Sequence, residues 1–160
     1  MRASQALAII EARLRLVLGK PTGSYIRITT PPDERPLHRA EEGIAISLSA
    51  PQTNAESGAG RYGMKTVRQL TVHIATVNNK DVSGEDRFAC VDHYDLEELV
   101  IDALMDRHPS VEQSPALIPL GITCNHTGGS DATRLLGRDA GRIESTLNFT
   151  ITYPATLSVR

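Results

Sequence analysis

The sequence predicts an α+β domain: a mainly antiparallel sheet with two amphipathic helices, one N-terminal and one central, and long hairpin loops. Three observations carry that prediction. Apolar residues recur every three to four positions over Ala3–Leu18 and again over Asp92–Arg107, the spacing of one helix face. They alternate at period two over Ile44–Leu48, Leu70–Thr76 and Leu147–Tyr153, the spacing of half-buried strands. The order is helix, strands, helix, strands, and the lack of alternating βα units argues against a parallel nucleotide-binding sheet.

The first helix is written by Leu7, Ile10, Leu14 and Val17, with Ala3 and Ala6 beside them. Ser4 is the expected N-cap, Gly19 stands where a left-handed cap belongs, and Pro21 prevents continuation. Glu11, Arg13 and Arg15 fall mostly off the apolar stripe, while Ile9, Leu16 and Leu18 widen it, so the helix is expected to touch something on two sides. A short β-like run, Tyr25–Thr30, follows with Ile26 and Ile28 on one face. Pro31, Pro32 and Pro36 break it, and Ile44, Ile46 and Leu48 make the next strand, ended by Pro51.

Residues 51–65 show no periodicity and carry Ser57, Gly58, Gly60 and Gly63, so they read as the tip of a long hairpin. The return strand places Leu70, Val72, Ile74 and Thr76 on one side and Gln69, Thr71, His73 and Ala75 on the other. Asn78-Asn79-Lys80-Asp81 is turn chemistry, and Phe88–Val91 reads as a short further strand. The second helix then opens at Asp92 or Asp95, the latter with Glu98 in capping-box spacing. Its stripe is Leu96, Leu99, Val100, Ala103 and Leu104; Arg107 and His108 suit its C-terminal dipole, and Pro109 closes it. Ile118, Leu120, Ile122 and Cys124 alternate as another strand. His126–Gly141 reads as a second long hairpin or an irregular excursion. Leu147, Phe149, Ile151 and Tyr153 finish the sheet, with Thr146, Asn148, Thr150 and Thr152 opposite.

Composition bounds the function. A chain of 160 residues fits one domain, 1–160, and buries enough surface to need no metal or disulfide staple. Its 40% hydrophobic and 22% charged content is that of a globular protein. With 17 Lys plus Arg against 19 Asp plus Glu, it lacks the basic excess that replaces counterions along phosphates. Four Tyr, two Phe and no Trp leave few platforms for stacking bases. Cys90 and Cys124 do not form a CxxC and read as buried thiols. The N-terminus has no unbroken hydrophobic stretch of the signal-peptide kind, and no run of apolar residues is long enough to span a bilayer.

Each candidate for chemistry has a plainer explanation. Gly58–Gly63 has GxGxxG spacing, but Met64–Val67 leads into a strand where a dinucleotide fingerprint requires a helix. Thr127–Asp131 reads as a turn and lacks a GK[ST] ending. His38, His73, His93, His108 and His126 show no HxH or HxxxH spacing; Cys124 and His126 supply at most two ligands. Asp92-His93-Tyr94-Asp95 resembles a reactive cluster, yet capping accounts for both aspartates. No GxSxG elbow is present. No enzyme, metal or cofactor is therefore expected. The competing expectation is a small enzyme or ligand-binding domain in which Asp92, His93, Cys124 and His126 converge on one pocket. Arg61, Lys65 and Arg68 form the one local basic cluster.

The order Ala3–Leu18, Ile44–Val77 with its loop Pro51–Lys65, Asp92–Arg107 and Ile118–Tyr153 resembles that of the tail terminator (tail completion) proteins of long-tailed phages. The resemblance covers nearly the whole chain and rests on element order, since that family has no fixed residue motif. It implies a virion protein assembled in the host cytoplasm, a hexameric ring that caps the tail tube and faces the head-side connector. It implies no membrane partner and no specific nucleic-acid sequence. The expected docking residues are Arg61, Tyr62, Lys65, Arg68, Arg134, Arg138 and Arg142, on the two long loops and their flanks.

Overall fold

In the computed structural model the described residues are 1–29, 42–52, 65–77, 86–105, 121–134 and 142–155, the side chains of 86–91 and of Arg134 excepted. The elements run α1 (Ala3–Leu18), β1 (Ile26–Ile28), β2 (Gly43–Leu48), β3 (Lys65–Val77), α2 (Asp86–Leu104), β4 (Thr123–Arg134) and β5 (Arg142–Pro154). They form the expected α+β fold, a five-stranded sheet in the order β1-β2-β3-β5-β4. Only β1–β2 is parallel; the other three pairings are antiparallel.

The spine is β3 against β5, paired without interruption from Lys65↔Pro154 to Val77↔Arg142. Period two sends Leu70, Val72 and Ile74 of β3, and Leu147, Phe149 and Ile151 of β5, to one face, where all six are buried. Ile44 and Ile46 extend that face through β2, and Ile122 and Cys124 extend it at the β4 side. Against it α1 lays Ala6, Leu7, Ile10 and Leu14, and α2 lays Val100, Ala103 and Leu104, as one core. The opposite face is polar and cross-linked by side chains: Gln69 Nε2 donates to Thr150 Oγ1 at 3.3 Å, and the Ser130 and Thr146 hydroxyls are 2.8 Å apart.

Helix α1 starts two residues earlier than a Ser4 cap implies. The Arg2 backbone N–H donates to Gln5 Oε1 at 2.7 Å, so the glutamine closes the first turn and Ser4 lies inside the helix. Its end is as expected. Gly19 adopts φ 64°, and the Gly19 and Lys20 N–H groups return to Leu16 O and Arg15 O at 3.2 and 2.9 Å. Arg15 then ties the helix to the segment after it: Nη2 reaches Glu11 Oε1 at 2.9 Å, Gly23 O at 3.0 Å and Ile26 O at 2.8 Å.

Arg13 overturns its surface assignment, being 1% exposed among the core side chains. It stands three residues from Ile10, on the apolar stripe, and Nε donates to Ala103 O at 3.2 Å in the last turn of α2. That carbonyl end of α2 favours a cation. Of the widened stripe, Ile9 and Leu18 pack partly against the core, and Leu16 is 40% exposed.

Two further expectations fail. Phe88–Val91 is helix, because α2 begins at Asp86; a short apolar run fits strand or helix equally. Asp92 and Asp95 are therefore interior positions of α2 and cap nothing. Of His126–Gly141, the part to Arg134 is strand paired antiparallel with β5, as the long-hairpin alternative requires, so Thr127–Asp131 is no turn; residues 135–141 lie outside the described residues. Register shifts between His126 and Gly128 and between Ser130 and Thr133 break the alternation of β4. Glycine is required between these shifts: a Cβ on Gly129 would run into the Thr146 carbonyl.

Gly43 has a similar duty. Its φ is 153° and a Cβ there would strike the Tyr25 carbonyl oxygen, which accepts from Ile44 N at 2.7 Å where β1 joins β2. Gly43→Ala should lower stability by about 1–3 kcal/mol through strain at that junction. Phe149→Ala, which removes a fully buried ring, should cost about 3–5 kcal/mol. Urea unfolding of both variants measures these losses, and the phenylalanine variant should be the weaker of the two.

Candidate functional site

Two hydroxyls occupy apolar-phase positions of the sheet. Thr76 continues the phase of Leu70, Val72 and Ile74 on β3; Ser145 precedes Leu147 in the phase of β5. Both face α2, and His93 of that helix, 0% exposed, fits between them. Its Nδ1 is 2.9 Å from Thr76 Oγ1 and its Nε2 is 2.7 Å from Ser145 Oγ. Ser145 Oγ donates in turn to Glu97 Oε1 at 3.2 Å.

The directions follow from that last bond. Since the Ser145 proton goes to Glu97, the Ser145 oxygen accepts, and Nε2 must carry the hydrogen. Nδ1 is then the acceptor and takes the Thr76 proton. Every polar atom of a neutral imidazole is thereby used, in one chain from Thr76 through His93 and Ser145 to Glu97.

Electrostatics agree with a neutral ring. Burial pushes the His93 imidazole below its ordinary value of 6.5, and the charge of His73 pushes the same way. Burial pushes Glu97 up; its Ser145 hydrogen bond opposes this, Asp131 and Glu98 raise it further, and His126 lowers it. The 3.3 Å approach of His93 Nε2 to Glu97 Oε1 has the distance of an ion pair. An ion pair would raise the histidine and lower the glutamate, whereas both move the other way. Ser145, closer to the imidazole, takes the N–H, so the contact belongs to a hydrogen-bonded chain.

A serine hydroxyl within 2.7 Å of an imidazole nitrogen is also the reach of a nucleophile and its base. Here the serine donates to the carboxylate, and both side chains are closed from solvent, Ser145 at 2% and His93 at 0% exposure. In this state the arrangement fixes α2 on the sheet and offers no route to a substrate.

The four residues expected to share a pocket take up different environments. Asp92 lies on the exposed side of α2 while His93 faces the sheet. Cys124 is buried in the core at 5% exposure. His126 is exposed, its ring tilted 57° against Phe149 with centroids 5.3 Å apart. Only His93 and His126 share a neighbour, Glu97, the first by contact and the second through charge.

The expected docking arginines also divide. Lys65 is exposed at the start of β3. Arg68 is half-buried and seals the end of the core, with Nε donating to the Tyr153 hydroxyl at 2.9 Å and Nη1 to Ser49 O at 2.8 Å. Arg142 is 2% exposed, its Nε on Glu144 Oε1 at 2.6 Å. Within the chain, both are held by burial and by these partners along the sheet. Arg134 ends β4, its side chain undescribed, and Arg61, Tyr62 and Arg138 lie outside the described residues.

Among the described residues no group of three or more His, Cys, Asp or Glu is placed to hold a metal ion. No described helix is long and apolar enough to cross a membrane. Compared with known proteins, the chain matches no family model and no curated sequence.

The histidine chain was open to sequence reasoning in one respect: Thr76 and Ser145 are hydroxyl residues in the apolar phase of strands. Thr76→Val should remove the donor to Nδ1 and cost about 1–3 kcal/mol in urea unfolding at pH 7. Ser130→Ala, on the polar face at the sheet edge, should lie within about 0.5 kcal/mol of the parent.

Proposed function

We propose that this chain is a structural subunit of a phage neck, a tail terminator that closes into a homo-oligomeric ring capping the tail tube and meeting the head connector. The element order supports the reading. Helix α1, the β2–β3 pair bracketing 49–64, helix α2 and the β4–β5 pair follow one another as the resemblance requires. Both helices pack on one face of the sheet; on the other, Thr71, Asn148 and Thr150 are half-buried polar side chains, while Ala45, Ala75 and Arg142 are buried toward one end. Leu16, Ile28 and Tyr94, at 40%, 40% and 53% exposure, are apolar side chains that a subunit contact would cover. A ring of this kind joins unlike patches of adjacent copies and closes by rotation.

A small enzyme or ligand-binding domain is the second reading, favoured by the Ser145–His93 approach alone. It requires α2 to move before Ser145 meets a substrate.

Light scattering with negative-stain imaging separates the two. The neck reading predicts a ring of about six copies of the 17.4 kDa chain, formed by the protein alone or on addition of isolated tail tubes. A monomer that neither closes by itself nor binds tube ends contradicts it.

A further inference from the structure

We infer that the Thr76–His93–Ser145–Glu97 chain is an acid-sensitive latch: a second proton on His93 releases residues 92–99 of α2 from the sheet. The geometry carries this. A cationic imidazole has N–H on both nitrogens, so Nδ1 would turn from acceptor to donor against Thr76 Oγ1, 2.9 Å away. The Thr76 proton would lose its acceptor, and a charge would stand on a residue of 0% exposure.

The position of His93 localises the response. From Asp92 to Leu99, His93 alone among the described side chains of α2 is fully buried. The following half is held separately by Val100, Ala103 and Leu104, and by Arg13 bonded to Ala103 O. Between Asp92 and Leu99 the other apolar hold on the core is Leu96, which is only partly buried, so loss of the His93 contacts loosens residues 92–99 while Val100–Leu104 stays packed.

The groups around the imidazole do not rescue the charge. From β3, His73 adds positive charge. From α2, Glu97 is the nearest carboxylate at 3.3 Å, with Asp92 and Glu98 further along an exposed side. From β4, Asp131 and His126 act on Glu97 in opposite senses. From β5, Arg142 and Glu144 pair with each other on the opposite face. Because Glu97 is itself held above the ordinary carboxylate range, it takes up a proton as the pH falls and withdraws the one adjacent negative charge.

The signs are then determined. With the folded His93 below its unfolded value, the unfolded chain binds more protons as the pH drops under about 6.5, and stability falls. Glu97, raised in the folded state, gives the reverse: the folded chain binds more protons above the ordinary carboxylate value, so acidification through that window adds stability. The two oppose, and the histidine acts at the higher pH.

The test is urea unfolding of the full chain at pH 7 and pH 5, alongside an NMR titration of the His93 imidazole. The parent's unfolding constant should rise severalfold on acidification, the ceiling for one histidine that stays neutral being about twenty-fivefold. His93→Gln should lose most of that rise, His126→Gln should keep it, and Glu97→Gln should steepen it. Amide signals of residues 92–99 should shift or broaden before those of residues 100–104. Equal responses of parent and His93→Gln, or an imidazole titrating at 6.5 or above, would overturn the latch. If His93→Gln does not fold, the imidazole titration and the order of amide changes in the parent decide the matter.

Discussion

The pairing of β3 with β5 is the constraint on which the rest of the structure depends. Its thirteen matched positions run from Lys65↔Pro154 to Val77↔Arg142 without a shift. That register sets which side chains form the core. A slip of one residue would exchange Leu70, Val72, Ile74, Leu147, Phe149 and Ile151 for threonine, asparagine and glutamine. It would also send Thr76 and Ser145 to the wrong face and leave His93 without partners. In the sheet β5 lies between β3 and β4, so this pairing joins strands that α2 and β4 separate along the chain.

Polar groups inside the core do a second job, which is to hold α2. Arg13 meets the helix at Ala103 near its C-terminal end, and His93 meets Thr76 and Ser145 near its middle. Apolar packing is tolerant of small rotations, whereas these bonds have direction and fix the helix about its axis. Such fixed points carry a cost. The Nη1 and Nη2 atoms of Arg13 are buried without a hydrogen-bond partner among the described residues, and burial disfavours the charged form of His93. The helix is thus specified by groups that respond to their surroundings more sharply than leucine would.

Much of this was legible in the chain. Strands β3 and β5 declare themselves because one face is buried and the other is threonine-rich, so alternation is clean. Gly19 ends α1 by a local rule, and the structure obeys it. What failed did so for identifiable reasons. Strand β4 sits at the sheet edge with only β5 beside it, and two bulges scramble a polar, glycine-rich period. Helix α2 extends back to Asp86, and periodicity alone could not choose between the two states that Phe88–Val91 permits. The histidine chain joins residues 17, 52 and 48 positions apart, and no local spacing encodes such a meeting. The docking arginines were chosen for charge, and Arg68 and Arg142 show that charge on a strand flank is readily recruited into the sheet.

Amide hydrogen exchange followed by NMR tests the central claim most directly. If the β3–β5 ladder is the structural spine, the slowest amides of the protein lie in Leu70–Ile74 and Leu147–Ile151. Those of the β1 and β4 edges and of the first half of α2 then exchange through cheaper local openings. Exchange of β4 or β1 as slow as that of β3 and β5, or a ladder among the fastest segments, would contradict the account.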